Sequence, residues 1–379
     1  MRKNPNIKIC LVSFLFDKAF LAPLSNLENV LSCVVEDKFY VIEGCFPYLN
    51  TPKNQKIEKT RIFHSQKKNL ISRIILLLYL QLRMSFELCR LSKKFNVCVF
   101  FMGQWEFLPI LVAKIMNKKV LWLMPSSISK MREYDDKISS LVKYYSYIQN
   151  ISFFLSDKII IHSDNLLNEW NLMNYKDKIV FAHEYYLNFK KFNIKKTFDD
   201  RGLIIGFLGR FSKEKGIINF VKSIPLVLVH YPNLKFIVIG DGNLNDTVQN
   251  YIQTNNLSDN VEIIPWLDQN KIPFYLNEMK LLVIPSYTES GPINALESMA
   301  CGTPILISQV GHVYNLIQDG KNGFLLENNS PKCIAKNIQK IISYANLEEV
   351  SESAHILVKT NFSFEKTLKR WKDILYSEL

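Results

Sequence analysis

The segment Leu203–Gly216 reads LIIGFLGRFSKEKG, and its pattern recurs along the whole chain. Its first six residues, Leu203–Leu208, form an apolar run of strand length, and the helical run Ile217–Val229 follows the segment directly. The turn between them contains glycine and carries Arg210 and Lys215. A strand that leads through a short turn into a helix predicts one βα unit of a parallel sheet.

Short β-branched runs alternate with longer helical stretches over all 379 residues. The strands predicted in the first half are Ile7–Ser13, Phe39–Glu43, Val97–Phe101, Lys119–Leu123, Lys158–His162 and Lys178–Ala182. Those predicted in the second half are Leu203–Leu208, Lys235–Ile239, Val261–Ile264, Leu281–Ile284 and Pro304–Ile307. Near-continuous apolar runs of this kind are typical of strands covered by helices on both faces.

A polar linker divides the two series of strands. The stretch Phe189–Arg201, FKKFNIKKTFDDR, is charged and has no apolar periodicity. We therefore expect two doubly wound, Rossmann-like α/β domains, at 1–195 and 196–362, which face each other across a ligand cleft. Residues 363–379 have helical apolar spacing and predict a final helix that packs back toward the N-terminal domain.

Positive charge is concentrated in the first half of the chain. Residues 1–195 contain 29 Lys and Arg against 16 Asp and Glu, whereas the remainder contains 18 against 19. Such a surface attracts anionic membranes, anionic small molecules or nucleic acid, or it is simply solvated. No nucleic-acid reader motif accompanies the charge, so nucleic acid is not predicted as a partner.

Seven cysteines lie far apart without CxxC spacing, which indicates reduced thiols, a cytoplasmic location and no metal site. The most apolar stretch is Asn69–Leu80, NLISRIILLLYL. It is too short to span a bilayer, which needs about 20 residues. It predicts a helix with a wide apolar face, and that face either belongs to the core or lies on an anionic membrane surface.

The turn Gly206–Gly216 is the first candidate site. Backbone N–H groups of a glycine-containing turn at a helix N-terminus can face an anion, and the helix dipole favours negative charge there. Arg210 offers a forked donor and Lys215 a flexible point charge, a combination that suits a diphosphate. An ordinary basic surface loop would have the same composition.

The second candidate is Pro285–Pro304, PSYTESGPINALESMACGTP, which follows the strand Leu281–Ile284. If Pro292 opens a helix, the backbone N–H groups near Ile293 can bind an anion or a hydroxyl. Glu297 then lies about one turn further along that helix, so that Glu289 and Glu297 can face one ligand. Carboxylates accept hydrogen bonds from vicinal hydroxyls, which favours a sugar. Acidic residues near a helix N-terminus are also common for structural reasons.

Residues 203–345 resemble the C-terminal domain of the retaining glycosyltransferases of family GT4. The matching features, in order, are GRFSKEKG, the strand KFIVIGDG, the Glu289–Glu297 spacing, MACGTP and DGKNGFLL. The resemblance implies the GT-B fold and a cytoplasmic retaining hexosyltransferase. Its donor would be a nucleotide-diphosphate sugar and its acceptor a glycan or lipid-linked molecule, in cell-surface polysaccharide or glycolipid synthesis. The basic N-terminal half and the apolar stretch Asn69–Leu80 fit an acceptor at the inner membrane face. The resemblance also implies no cofactor and no catalytic metal.

The resemblance assigns roles to individual residues. Arg210 and Lys215, together with Gly209, would hold the donor diphosphate and stabilise the leaving nucleotide. Glu289 would face the donor sugar, and Glu297 would accept hydrogen bonds from the ribose. The remaining implied substrate contacts are Ser290, Gly291, Pro292 and Ile293 around the sugar or phosphate, and Trp266 and Leu267 near the base.

The N-terminal half departs from the family pattern. The segment after the first strand, SFLFDKAFLAPLSN, lacks the usual glycine pair, and Met124 stands where members often have histidine. Gln104, Trp105 and Glu106 could serve an acceptor instead. The departures leave open a GT-B-fold partner subunit that binds a nucleotide or glycan without transfer. A sugar-nucleotide epimerase fits the Glu289–Glu297 spacing less well.

Overall fold

The computed structural model describes residues 6–14, 21–45, 56–65, 70–102, 106–124, 142–289, 291, 293–311 and 316–377. These residues divide into two compact units. The first unit contains Met1–Tyr186 and Phe364–Leu379, and the second contains Leu187–Ser363. Residues 187–195 thus group with the second unit, although the sequence places the domain boundary after 195. The reason is local: Asn277 Oδ1 accepts from the Lys195 N–H at 2.7 Å, and Asn277 Nδ2 donates to the Asn193 carbonyl at 3.1 Å.

The first unit is built on a parallel sheet of seven strands. The strands are β1 Ile9–Phe14, β2 Phe39–Cys45, β3 Ile57–Phe63, β4 Val97–Phe101, β5 Lys119–Leu123, β6 Lys158–Ile161 and β7 Ile179–Phe181. Its helices are α1 Leu21–Val34, α2 Leu70–Leu91, α3 Phe107–Ile115, α4 Val142–Leu155, α5 Asn165–Glu169 and, from the end of the chain, α12 Phe364–Ser377. The strand order is β3-β2-β1-β4-β5-β6-β7. Successive strands are added on one side of β1 up to β3 and on its other side from β4 onward, so the strand order reverses between β1 and β4.

Helices cover both faces of this sheet. One core layer contains Met84 of α2, Ile110 of α3 and Phe153 of α4, and the opposite layer contains Leu27 of α1 and Trp371 of α12. Strands β1 and β4 are buried along their whole length, as their unbroken apolar sequences predict.

The second unit repeats the plan with six parallel strands. These are β8 Ile204–Leu208, β9 Lys235–Ile239, β10 Val261–Ile264, β11 Leu281–Ile284, β12 Ile305–Ser308 and β13 Phe324–Leu326. The helices are α6 Ile217–Leu228, α7 Asn245–Thr254, α8 Ile272–Glu278, α9 Ile293–Ala300, α10 Pro331–Ile342 and α11 Leu347–Asn361. The order β10-β9-β8-β11-β12-β13 is that of a Rossmann sheet, with its reversal between β8 and β11.

The sequence does not predict two of the strands, β3 and β13. Strand β3, IEKTRIF, contains three charged residues and a threonine because it lies at the sheet edge, where charges hinder further pairing. Its Lys59 Nζ lies 2.6 Å from Glu28 Oε1, and its Arg61 Nε lies 3.6 Å from Glu43 Oε2. Strand β13 is three residues long, too short for a periodic signal.

Helix α2 extends eleven residues beyond the predicted end at Leu80. Its inner stripe continues through Met84 and Leu88, which are buried in the core of the first unit. Arg83 therefore lies within the helix and does not end it. Within the described part of the chain, no helix has both the length and the apolar character that crossing a membrane requires.

The last helix, α12, lies in the first unit. Trp371 is fully buried there, and its Nε1–H donates to the His183 carbonyl at 3.0 Å. Thr367 Oγ1 donates to the Tyr185 carbonyl at 3.3 Å. The chain thus returns from the second unit to complete the core of the first.

Candidate functional site

The strand order of the second unit reverses between β8 and β11, and this point, called the strand reversal below, brings two loops together. In parallel α/β sheets, ligands bind at the carboxyl ends of the two strands that flank such a reversal. The loop after β8 and the loop after β11 meet here, since the Tyr287 N–H donates to the Glu214 carbonyl at 2.8 Å. Asn294 Nδ2 also donates to the Leu208 carbonyl at 2.9 Å, which ties the start of α9 to the end of β8.

Gly216 allows the two loops to approach closely. Its φ is 69°, in the left-handed region that favours glycine. A Cβ at this position would lie 2.0 Å from the Pro285 carbonyl oxygen. Any other residue would therefore push apart the turn after β8 and the strand end of β11.

Lys215 and Glu289 form an ion pair across these loops. Lys215 Nζ lies 2.6 Å from Glu289 Oε1, and Ser286 Oγ donates to the same oxygen at 2.8 Å. The Glu289 side chain is almost completely buried, whereas the Lys215 side chain keeps about a quarter of its surface exposed, 25%. The structure thus brings a cation and a carboxylate together at the strand reversal, with the cation reachable from solvent.

Arg210 adds a second cation to the loop after β8. Its side chain is 50% exposed, and Nη1 lies 3.8 Å from Glu214 Oε1. An exposed pair at that distance contributes little to stability. The guanidinium can therefore turn toward an anionic ligand at small cost.

Most backbone N–H groups of this turn already donate to carbonyls of the protein. This differs from the expectation that they face an anion. The Gly209 N–H donates to the Ile239 carbonyl at 3.0 Å, and the Phe211 N–H donates to the Asp241 carbonyl at 2.8 Å. The Lys215 N–H also bonds within the turn. Gly209 therefore anchors the turn to the end of β9, and the attraction for an anion at this turn comes mainly from side chains.

Glu297 lies on α9 with its side chain buried. Burial raises the pKa of this carboxyl from 4.5 to about 7. The hydrogen bond from Gln269 and the charge of Lys191 lower the pKa, but their combined effect is smaller than that of burial. Gln269 Nε2 donates to Glu297 Oε1 at 3.2 Å. Glu297 can therefore exist protonated or ionised near neutral pH, and an entering polyol would compensate its desolvation.

The loop after β10 carries Trp266, Leu267 and Gln269. The Trp266 side chain is 71% exposed, and Leu267 is half-buried. The hydrogen bond between Gln269 and Glu297 joins this loop to α9. An exposed indole near a buried carboxyl can stack on a planar ring while the carboxyl accepts from hydroxyls.

The remaining predicted contacts lie at the start of α9. The Ile293 N–H donates to the Gly291 carbonyl at 2.8 Å, so this amide has a partner within the loop. Ser290 and Pro292 lie outside the described residues. The predicted contacts of these four residues with a ligand stay predictions.

Several residues of this region carry no signal by themselves in the sequence. Ser286 and Asn294 hold Glu289 and α9 in place, and Gln269 reaches Glu297 from another loop. Ser286 and Gln269 do follow the ends of β11 and β10, which is the position where such sheets place functional groups. The motif MACGTP is structural in part: buried Arg201 donates to the Cys301 carbonyl and to Thr303 Oγ1, both at 2.7 Å.

In the first unit, Glu106 is the most unusual polar residue. It precedes α3, is 1% exposed, and neither carboxylate oxygen has a hydrogen-bond partner among the described residues. Burial raises its pKa well above the ordinary value. Gln104 and Trp105 lie outside the described residues.

Met124 and the histidines that follow β6 and β7, His162 and His183, all contact other groups of the first unit. Met124 is buried in the core layer beneath α2, α3 and α4. His162 Nε2 lies 3.0 Å from Glu184 Oε2, and both groups are buried. Arg370 Nη1 lies 2.8 Å from His183 Nε2, which must accept, so Nδ1 of His183 donates to the Tyr185 carbonyl.

Within the residues described here, no three His, Cys, Asp or Glu side chains are grouped to hold a metal ion. The absence of a catalytic metal stays a prediction.

Two parallel α/β units of this kind define the GT-B fold, and the predicted fold class is confirmed. HepE of Anabaena, solved in complex with UDP, superimposes with a TM-score of 0.77 at 13% identity, and the match covers 98% of this chain and 100% of that chain. Residues 188–355 match the model of the family "Glycosyl transferases group 1".

Two curated glycosyltransferases are similar to part of this chain. CapM of Staphylococcus aureus, a capsular polysaccharide biosynthesis glycosyltransferase, is 26% identical over 235 residues, or 57% of this chain and 60% of CapM. The UDP-Gal:alpha-D-GlcNAc-diphosphoundecaprenol alpha-1,3-galactosyltransferase of Escherichia coli is 25% identical over 174 residues, or 45% of this chain and 44% of that enzyme. The chain spans about half the length of the curated relatives that it matches.

Proposed function

We propose that this chain is a retaining hexosyltransferase of family GT4. It moves a sugar from a nucleotide-diphosphate sugar to a glycan or lipid-linked acceptor, in cytoplasmic synthesis of cell-surface polysaccharide or glycolipid. In the reaction, the bond between the anomeric carbon and the phosphate oxygen breaks. A bond from the same face of that carbon to an acceptor oxygen forms, and the proton of the acceptor hydroxyl passes to the departing diphosphate oxygen.

The observation that carries this proposal is the Lys215–Glu289 pair at the strand reversal of the second unit. Cleavage of the donor places negative charge on the departing diphosphate and positive charge on the anomeric carbon. Lys215 and Arg210 would stabilise the diphosphate, and Glu289 would face the sugar. Charged donors placed where charge develops are among the strongest contributions to catalysis. With two such cations, the reaction needs no divalent metal.

The ion pair has a direct consequence for donor binding. Lys215 Nζ donates to Glu289 Oε1 at 2.6 Å, so that each group neutralises the other. A donor diphosphate would replace Glu289 as the partner of Lys215, and the carboxylate would then be released to accept hydrogen bonds from sugar hydroxyls. An intact nucleotide sugar satisfies both groups, whereas the nucleotide product satisfies Lys215 alone. The pair therefore favours the donor over the product.

The recognition of the nucleotide falls to the neighbouring loops. Glu297 would accept from the ribose hydroxyls, and Trp266 with Leu267 would contact the base. Gly209 and residues 290–293 would border the phosphates and the sugar. A uridine donor is favoured because HepE was solved with UDP and the Escherichia coli relative is named for UDP-Gal. The names of CapM and of that galactosyltransferase favour a capsular or lipid-linked acceptor.

The test is nucleotide release by the purified full chain with a panel of UDP-, GDP- and ADP-sugars and a membrane extract as acceptor. We expect one nucleotide sugar to give release and a product with retained anomeric configuration by NMR. Lys215→Ala should lower the rate by about a hundredfold to a thousandfold. Lys222→Ala, an exposed lysine of α6, is the matched control and should keep the rate. A chelator should leave the rate unchanged. Failure of every nucleotide sugar to raise the melting temperature would contradict the proposal.

The alternative is a binding subunit of the same fold without transfer activity. Its motivation is the first unit, where Met124 is buried in the core and therefore cannot act as the family histidine would. A chain that binds a nucleotide sugar but never releases nucleotide, with Glu289→Ala leaving the cellular glycan unchanged, would support this alternative.

A further inference from the structure

Helix α2 has two apolar faces, and only one of them is buried by the protein. Its inner face packs into the core through Leu80, Met84 and Leu88. Seven large apolar residues on the other side are between 40% and 71% exposed. They are Ile71, Ile74, Ile75, Leu78, Tyr79, Leu82 and Phe86. Their spacing of three and four residues forms one stripe about 23 Å long.

Helices α3 and α4 extend this surface. Both pack into the same core layer as α2, through Ile110 and Phe153, so the three helices cover one face of the first sheet. Helix α3 lies between α2 and α4 and contacts both. Its Ile115 is exposed, as are Ile148, Ile151 and Phe154 of α4. We call these four residues and the seven of α2 the outer helical face. A surface helix normally turns polar residues outward, and an apolar patch of this extent marks an interaction site.

The charges on and beside the outer helical face are mainly positive, although Asp157, just after α4, pairs with Lys114 of α3 at 2.9 Å. Helices α2, α3 and α4 together contain five Lys or Arg residues and a single acidic residue, Glu87. Glu87 is buried, and its Oε2 lies 2.6 Å from Arg90 Nε. Arg83 and Lys93 are exposed on or just after α2. The face therefore presents apolar side chains and positive charge, with no exposed carboxylate on these three helices.

From this combination we infer that the outer helical face binds the surface of an anionic lipid bilayer, with α2 lying in the plane of the interface. Aliphatic side chains would enter the acyl boundary, and the rings of Tyr79, Phe86 and Phe154 would sit at headgroup level. Arg83 and Lys93 would contact the anionic headgroups. The inference concerns the first unit and does not rest on the proposed transfer activity.

A second copy of the chain fits this face less well. In a twofold dimer the same patch meets itself, so that the positive residues bordering α2 in both copies would lie in one interface. Like charges at an interface oppose association. An anionic bilayer instead provides both a nonpolar phase for the side chains and opposite charge for the border.

Vesicle cosedimentation of the full chain tests the inference. Vesicles of phosphatidylcholine are compared with vesicles of equal parts phosphatidylcholine and phosphatidylglycerol. We expect binding to the anionic vesicles that weakens with added salt, and much weaker binding to the neutral ones. The double variant I75E/L82E should lose at least tenfold in affinity. Variant R83Q/K93Q should lose about fivefold for each charge removed, and only with anionic vesicles.

Ile356→Glu provides the matched control, because Ile356 of α11 and Leu82 are both 62% exposed. Thermal unfolding should show all variants folded, since the replaced side chains contribute little to the core. Absence of binding to anionic vesicles, or unchanged binding by I75E/L82E, would overturn the inference. A dimer in sedimentation velocity that I75E/L82E abolishes would assign the face to a second copy of the chain and would also overturn it.

Discussion

Replacing Glu297 by glutamine removes a buried carboxyl while keeping its size and its capacity to accept from Gln269. Burial raises the pKa of Glu297 from 4.5 to about 7 in the folded protein. Between these values the folded state binds a proton that the unfolded state has released. The stability of the protein therefore falls as pH rises through this window, and the full cost is present above about pH 7.

The magnitude follows from the same two values. At about 1.4 kcal/mol for each pH unit, ionised Glu297 costs about 3 kcal/mol at pH 8. At pH 5.5 the cost is about 1 kcal/mol, since the folded state is still protonated. Glu297→Gln should thus be more stable than the wild type, by a margin that widens by about 2 kcal/mol from pH 5.5 to pH 8. For a unit of this size the gap between the two melting temperatures should widen by about 4–8 °C.

Thermal unfolding of both proteins at several pH values measures this gap. Glu262→Gln, at an exposed position of β10, is the matched control and should show no widening. A gap that stays constant with pH, or that narrows toward pH 8, would refute the reasoning that burial dominates the titration of Glu297.

The same carboxyl should make donor binding depend on pH. Ionised Glu297 accepts from ribose hydroxyls more strongly than the protonated carboxyl does, and its ionised fraction rises about tenfold between pH 6 and pH 8. The affinity for the nucleotide sugar selected by the release assay should rise accordingly in calorimetry. The glutamine variant should bind more weakly and without this increase. Parallel pH dependence in both proteins would show that another group titrates.

Three further predictions concern residues that support the site. Gly216→Ala should destabilise the protein by about 1–3 kcal/mol, because its Cβ would meet the Pro285 carbonyl oxygen at 2.0 Å; Gly209→Ala, whose Cβ would meet only ordinary contacts at 3.8 Å, is the melting-temperature control. Arg201→Met should cost about 3–5 kcal/mol in denaturant unfolding, since it leaves buried oxygen acceptors unpaired. Glu106→Gln should melt higher than the wild type by a margin that grows as pH rises above the ordinary range of a carboxyl pKa, because burial raises the pKa of Glu106.

Local information in the sequence is sufficient for much of the architecture. The strand β8, the turn that carries Arg210 and Lys215, and helix α6 follow from apolar runs and glycine placement within a few residues of each other. The predicted strands that lie inside the two sheets form as expected because each is buried on both faces and therefore apolar over most of its length. Strand β3 is different: its position at the sheet edge permits charged residues, and no local pattern then distinguishes it from a loop.

Contacts between distant segments required the tertiary structure. Lys215 and Glu289 are 74 positions apart, and they meet only because the sheet order places β8 beside β11. The sequence indicated both residues through a family resemblance, but it could not show that they neutralise each other. Gln269 and Glu297 meet in the same way.

The sequence by itself determined the two-domain α/β plan, the cationic turn and the identity of the two glutamates, because these depend on side-chain periodicity and on motifs of contiguous residues. The tertiary structure decided which amides are already hydrogen-bonded, which carboxyl is buried deeply enough to titrate near neutrality, and which face of α2 remains exposed. Burial and partner choice are properties of the packed chain, since desolvation and hydrogen bonding depend on neighbours that the strand order brings from far along the sequence.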